Sequence, residues 1–202
     1  MTAALASSFD DLMMSTATRP PLWEPEDQFV GALLHMGARH RAERQALIEL
    51  VPATALVRPI TRWAYELISE LSRRGIDPDP TLVLTAARRQ PPAAEADTRP
   101  DLTTTALRPN VLGELGGYLA DVYTQSYADA NPRHYAQEIL DDAFRRAAGA
   151  WGARLQYMAD AYADRQDITT IITDIMRGEL RELWQRAERA GRTTTDNEGR
   201  EH

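Results

Sequence analysis

The sequence predicts an all-α fold, a small helical globular bundle followed by a long antiparallel helical hairpin. Two observations carry that expectation. Apolar residues recur at three- and four-residue spacing through most of the chain, and the longest such pattern runs from Pro132 to Ala190 with one short polar break near Ala163–Gln166. Two long amphipathic helices joined by so few residues most simply fold back on each other.

The chain has 202 residues, 43% of them hydrophobic and 26% charged, which is enough to bury a sizeable core. Cysteine is absent, so disulfides, thiolate metal sites and cysteine nucleophiles are excluded. All 23 basic side chains are arginine. Without lysine there is no phosphate-loop lysine, lysine base or Schiff base. The formal charge of −7 argues against a surface that tracks nucleic acid along its whole length. No apolar run reaches the roughly 18 to 20 residues needed to span a bilayer, so the expected location is cytoplasmic, without a membrane partner.

Residues 1–23 read as a flexible leader, weakly patterned and ending in Arg19-Pro20-Pro21 and Trp23. The helical globular part spans 24–130. Glu24 to Asp27 place acidic residues at the start of a helix carrying Phe29, Val30, Leu33, Leu34 and Met36. An arginine cluster follows, and Leu47 to Val51 lead to a break at Pro52. Pro59 opens a stronger helix through Ile60, Trp63, Ala64, Leu67, Ile68 and Leu71, with Gly75 placed to stop it. The Asp77-Pro78-Asp79-Pro80 turn precedes a short helix from Thr81 to Ala87. Between 90 and 110 the prolines mark a disordered loop, after which Leu112, Leu115, Leu119 and Val122 restore helical spacing, with Tyr127 at the end.

The hairpin spans 131–190. Asn131 is placed to cap its first helix, with Pro132 in the first turn. Ala136, Leu140, Phe144, Ala147, Trp151, Leu155, Met158 and Tyr162 form the first stripe. A second helix carries Ile168, Ile171, Ile172, Ile175, Leu180, Leu183, Trp184 and Ala187, and Gly191 is placed to end it. Gly149 and Gly152 beside Trp151 either let another backbone approach closely or bend the helix. Residues 191–202 read as a flexible tail or linker.

No residue pattern establishes a reaction centre. His134, Glu138, Asp141 and Asp142 share one helical region, but a second convergent set is missing. The acidic residues Asp160, Asp164, Asp167 and Asp174 surround the hairpin connection, where capping and solvation explain them. Catalytic residues, metal ligands and cofactors are therefore all expected to be none. Arg39, Arg41 and Arg44 are candidates for contact with phosphate or an acidic partner, against the alternative of an ordinary solvated turn.

Three phrases, in order, resemble the N-terminal domain of the bacterial replicative DNA helicase of the DnaB type. The first is Glu26-Asp27-Gln28 followed by Val30-Gly31-Ala32-Leu33-Leu34. The second runs from Leu56-Val57-Arg58-Pro59 through Trp63, Leu67 and Leu71 to Gly75-Ile76-Asp77-Pro78 and Thr81-Leu82. The third is Gly116-Gly117-Tyr118-Leu119, then the Asn131-Pro132 start and Tyr135-Ala136-Gln137-Glu138-Ile139. Together they cover about residues 24 to 189. The loop before Gly116 is longer and richer in proline than that family's common pattern, and no G-x-x-x-x-G-K-[S/T] phosphate loop is present.

The resemblance implies a noncatalytic module that contributes to a helicase collar. A symmetric dimer is the simplest self-association, because it pairs two copies of one face; the resemblance adds a ring of three such dimers as a larger assembly, and contact with replicative helicase, primase or helicase loader. Direct nucleic-acid binding is not expected. The protein-interface candidates are Leu140, Phe144, Trp151, Leu155, Ile171, Ile175, Leu180 and Trp184, and their division between hairpin core and partner surface stays open at this level. Two competing classes remain, a small helical enzyme or metal-binding bundle and an independent DNA-binding regulator.

Overall fold

Prolines and short polar caps set where the chain becomes helical. Helices α1 (Pro25–His35), α3 (Pro59–Arg73), α4 (Pro80–Ala87) and α6 (Pro132–Asp160) each carry proline in the first turn, where its absent N–H costs nothing. The Asp79 carboxylate accepts from the backbone N–H groups of Thr81 and Leu82 at 2.8 and 2.9 Å. Asn131 accepts from that of His134 at 3.3 Å, as its position predicts. The remaining helices are α2 (Arg41–Leu50), α5 (Pro109–Gln125), α7 (Arg165–Arg177) and α8 (Glu179–Glu198). Short 3-10 turns lie at Ala38–His40 and Ala53–Ala55.

The structure is a computed structural model that describes residues 24–92, 109–126 and 131–198, the last seven of these as backbone only. The leader, most of the proline-rich loop, Tyr127 and the last four residues lie outside the described part. Among the described residues there is no strand. The architecture is a helical bundle, α1 to α5, followed by an antiparallel hairpin in which α6 pairs with α7 and, most extensively, with α8.

One continuous core joins the two parts. Trp63, Ala64, Leu67 and Ile68 of α3 pack with Phe29 and Leu33 of α1, Leu47 of α2, Val83 of α4 and Leu115 and Leu119 of α5. The same cluster takes in Ala136, Ile139, Leu140 and Ala143 from the start of α6, and Leu183, Ala187 and Ala190 from α8. The base of the hairpin therefore belongs to the bundle. The α1 and α5 backbones approach closely at Gly31, where a Cβ would stand 2.6 Å from the Val122 carbonyl oxygen.

Two ionic clusters, each built around one buried charge, lock the bundle's corners. The Arg44 side chain, 0% exposed, donates to Asp77 at 2.6 Å, to the Ser72 hydroxyl at 3.1 Å and to the Met36 carbonyl. Arg41 adds a two-pronged contact to Asp77 at 3.0 and 3.2 Å. The buried Asp27 accepts from the Tyr118 hydroxyl at 2.9 Å and pairs with Arg58. These contacts tie helices distant in sequence, because a charge removed from water is stable only when paired and hydrogen-bonded.

Helix ends follow backbone rules. Gly75, at φ 74°, ends α3 with its N–H on Ser72 O and the next N–H, of Ile76, on Leu71 O. The hairpin's second limb differs from the single helix its spacing predicts. It divides at Gly178 into α7 and α8, and a Cβ there would lie 2.8 Å from the Asp174 carbonyl oxygen. Gly191 does not end the limb. It lies against Gln137 of α6 at ordinary contact distance, and α8 continues through it to Glu198.

Gly31→Ala should therefore lower stability by about 1 to 3 kcal/mol, because backbone rather than a side-chain tip must move; urea unfolding at pH 7 measures it. A pH series gives a second expectation. Arg41 and Arg44 hold the Asp77 carboxyl below the usual carboxylate range. Its stabilising contribution is present in full above the unfolded-state value of about 4 and is lost as pH falls through the lower folded-state value. Asp77→Asn should flatten that acid limb of the unfolding midpoint.

Candidate interaction surface

Beyond Ala143 no side chain on α6 is buried, and none of the described side chains on α7 is. The apolar spacing nevertheless continues through both. Trp151, Leu155, Met158, Ile168 and Ile171 are half-buried, each helix of this distal part having only the other limb to lean on. Ile172 is 46% exposed and Tyr157 73% exposed. The Arg154 guanidinium lies 5.5 Å from the centre of the Trp151 ring, extending a mixed aromatic and cationic surface. Cβ atoms added at Gly149 and Gly152 would meet no atom within 4 Å, and α6 runs through them unbroken.

The tip carries a backbone outlier. Tyr162 has φ 54° and occupies the position after α6 that glycine usually takes. Its N–H bonds Ala159 O at 3.1 Å and the N–H of Ala163 bonds Met158 O at 3.0 Å, which closes the helix end. The left-handed conformation costs a residue with a side chain roughly 1 to 2 kcal/mol relative to its ordinary backbone. The tyrosine ring recovers nothing by packing, since the residue is 95% exposed. A strained, solvent-facing aromatic at a hairpin tip is the kind of outlier from which a contact function is inferred.

Of the eight interface candidates, the structure brings four to one place. Phe144, Ile175, Leu180 and Trp184 line a groove of about 380 Å³, with Arg181 and Gln185 completing its wall. Trp151, Leu155 and Ile171 lie further out on the hairpin. Leu140 is fully buried in the core, so it is not available to a partner. Reading the sequence missed Tyr157 and the exposed setting of Tyr162. The one signal for Tyr162 was its place at the helix end, where the turn demands a left-handed residue.

The arginine cluster comes apart. Arg39 is exposed, Arg41 is held on Asp77, and Arg44 is internal, its guanidinium committed to three partners inside the bundle. Arg44 thus cannot reach an external phosphate without unfolding its surroundings. Trp63, Tyr65 and Tyr118 are buried, so their rings face the core and not solvent, and burial raises the Tyr65 hydroxyl well above its ordinary pKa. Tyr123 is stacked on His35 with ring centres 4.3 Å apart.

Among the described residues no three His, Asp or Glu side chains converge to hold a metal ion. Asp142 is paired with Arg145 at 2.6 Å. Burial pushes the Asp141 carboxyl upward, against the pull of Arg145. Asp164 precedes α7 but makes no capping hydrogen bond. No described helix is long and apolar enough to cross a membrane.

Comparison with solved structures gives a match with this architecture. The N-terminal domain of DnaB helicase from Mycobacterium tuberculosis superposes with a TM-score of 0.51, at 20% identity, over 80% of this chain and 95% of that one. The likeness is one of fold. No family profile matches the sequence, and no curated protein does.

Tyr162→Gly should raise the unfolding free energy by about 1 kcal/mol, since glycine takes φ 54° without strain. Thermal and urea unfolding of the dilute protein would show it, and an unchanged or lower midpoint would contradict the strain argument.

Proposed function

We propose that this chain is a noncatalytic protein-interaction and oligomerisation module of a cytoplasmic replication assembly, working through the distal part of its hairpin. The observation that carries the reading is that α6 beyond Ala143 and all of α7 keep a continuous apolar pattern with no described side chain buried. A face of that kind gains free energy only against another surface. The simplest such surface is the same face of a second copy, since one self-complementary patch satisfies both molecules. Three such dimers in a ring are the larger assembly this arrangement could build.

The fold shared with a replicative-helicase N-terminal domain supports replicative helicase, primase or a helicase loader as the other partners. Trp151, Leu155 and Ile171, joined by Tyr157 and Ile172, are the proposed contact centre. The bundle holds the hairpin base rigid, so the face is presented in a fixed orientation. No ATP hydrolysis or DNA unwinding is expected of the chain by itself.

Sedimentation equilibrium across protein concentration tests this. The chain should move from monomer to dimer, and Tyr157→Asp combined with Ile172→Asp should weaken association by about 30-fold or more, as for loss of an interface hot spot. Helical content should not change, because both residues are exposed. A chain that stays monomeric at all concentrations and co-sediments with none of helicase, primase and loader would end the proposal.

A further inference from the structure

We propose that the apolar groove on the hairpin is the docking site of this chain's own leader, through Leu5, Phe9, Leu12 and Met13. The proposal goes beyond the association described above, which uses the hairpin further out. The groove lies where α6 faces the Gly178 break, and its apolar walls are Phe144, Ile175, Leu180 and Trp184. Trp184 is 55% exposed. About 380 Å³ is room for an aromatic ring and an aliphatic neighbour, and no described side chain fills it.

The occupant follows from composition, charge and reach. Of the stretches outside the described residues, only the leader combines an aromatic with several large aliphatic side chains at regular spacing. Leu5, Phe9, Leu12 and Met13 stand at i, i+4, i+7 and i+8, the anchor pattern of a helix that lays one face in a groove. Asp10 and Asp11 are the leader's acidic residues, in the middle of that pattern. The charged residue of the groove wall is Arg181, exposed and without a hydrogen-bond or ion-pair partner among the described residues.

Reach is sufficient. The Val57 N–H donates to the Glu26 carboxylate at 2.8 Å, and Arg146, two residues beyond Phe144 on α6, donates to the Ala55 carbonyl at 2.5 Å. The described chain thus begins a few residues from the helix that walls the groove. The stretch between Met13 and Glu24 can span up to about 40 Å. Docking within one molecule needs no second copy.

The native absence of cysteine allows a clean test on the full chain. Ser7→Cys places a nitroxide on the side of the leader pattern away from Leu5, Phe9 and Leu12. In isotope-labelled, dilute protein, the Trp184 indole signal and the amides of residues 180–185 should lose most of their intensity while the label is oxidised. Amides of α4 should keep theirs. Phe9→Asp with Leu12→Asp should restore the groove signals, and neither residue belongs to the described core. Groove signals that keep their intensity would overturn the proposal, as would losses indifferent to the double substitution. So would losses that persist in a mixture where label and isotope sit on different molecules, which would assign the leader to a second copy's groove. Each reading is made on monomer and is independent of whether the distal hairpin associates.

Discussion

A layer of two helices can cover only one side of each, and that limit governs the distal hairpin. At its base, α6 and α8 share the bundle's core, where Ala136, Leu140, Ala143 and Ala187 are buried from several directions. Past Ala143 the bundle ends, yet the apolar spacing does not. Each half-buried residue there keeps apolar area in water at a cost on the order of 25 cal/mol per Å². The sequence thus retains apolar helical spacing far from its own core.

The rest of the chain makes that projection rigid. Arg44 on Asp77, Ser72 and Met36 braces α2 against the end of α3, and Asp27 with Arg58 and Tyr118 braces α1 against α3 and α5. Arg186 donates to the carbonyls of Glu49 and Leu50 at 2.7 and 2.9 Å, and Arg146 to that of Ala55, so hairpin and bundle are fastened by charged groups on backbone acceptors. Such contacts fix orientation more than they add stability, since desolvating the charges offsets much of the gain.

Local signals carried the helices well. Pro59 and Gly75 bracket α3 as their backbone preferences require, and Asn131 caps α6. What local signals do not encode is which side chains meet. Asp27 reads as a favourable first-turn charge and is in fact a buried acceptor, because its partners Arg58 and Tyr118 are 31 and 91 residues away. Arg44 reads as surface for the same reason. Gly191 reads as the end of the second limb, yet α8 runs through it and the limb breaks at Gly178 instead. At the candidate surface, spacing named the residues of the stripe but not their depth: Leu140 and Trp184 share a pattern and lie at opposite extremes of burial.

The central claim is that the apolar face of the distal hairpin is completed by a surface outside its own chain. Hydrogen exchange, read residue by residue at low and high protein concentration, tests it most directly. The account predicts that amides near Ala136 to Ala143 are protected equally at both, whereas those from Trp151 to Ile172 gain protection when the protein is concentrated. Strong, concentration-independent protection throughout the distal hairpin would contradict it.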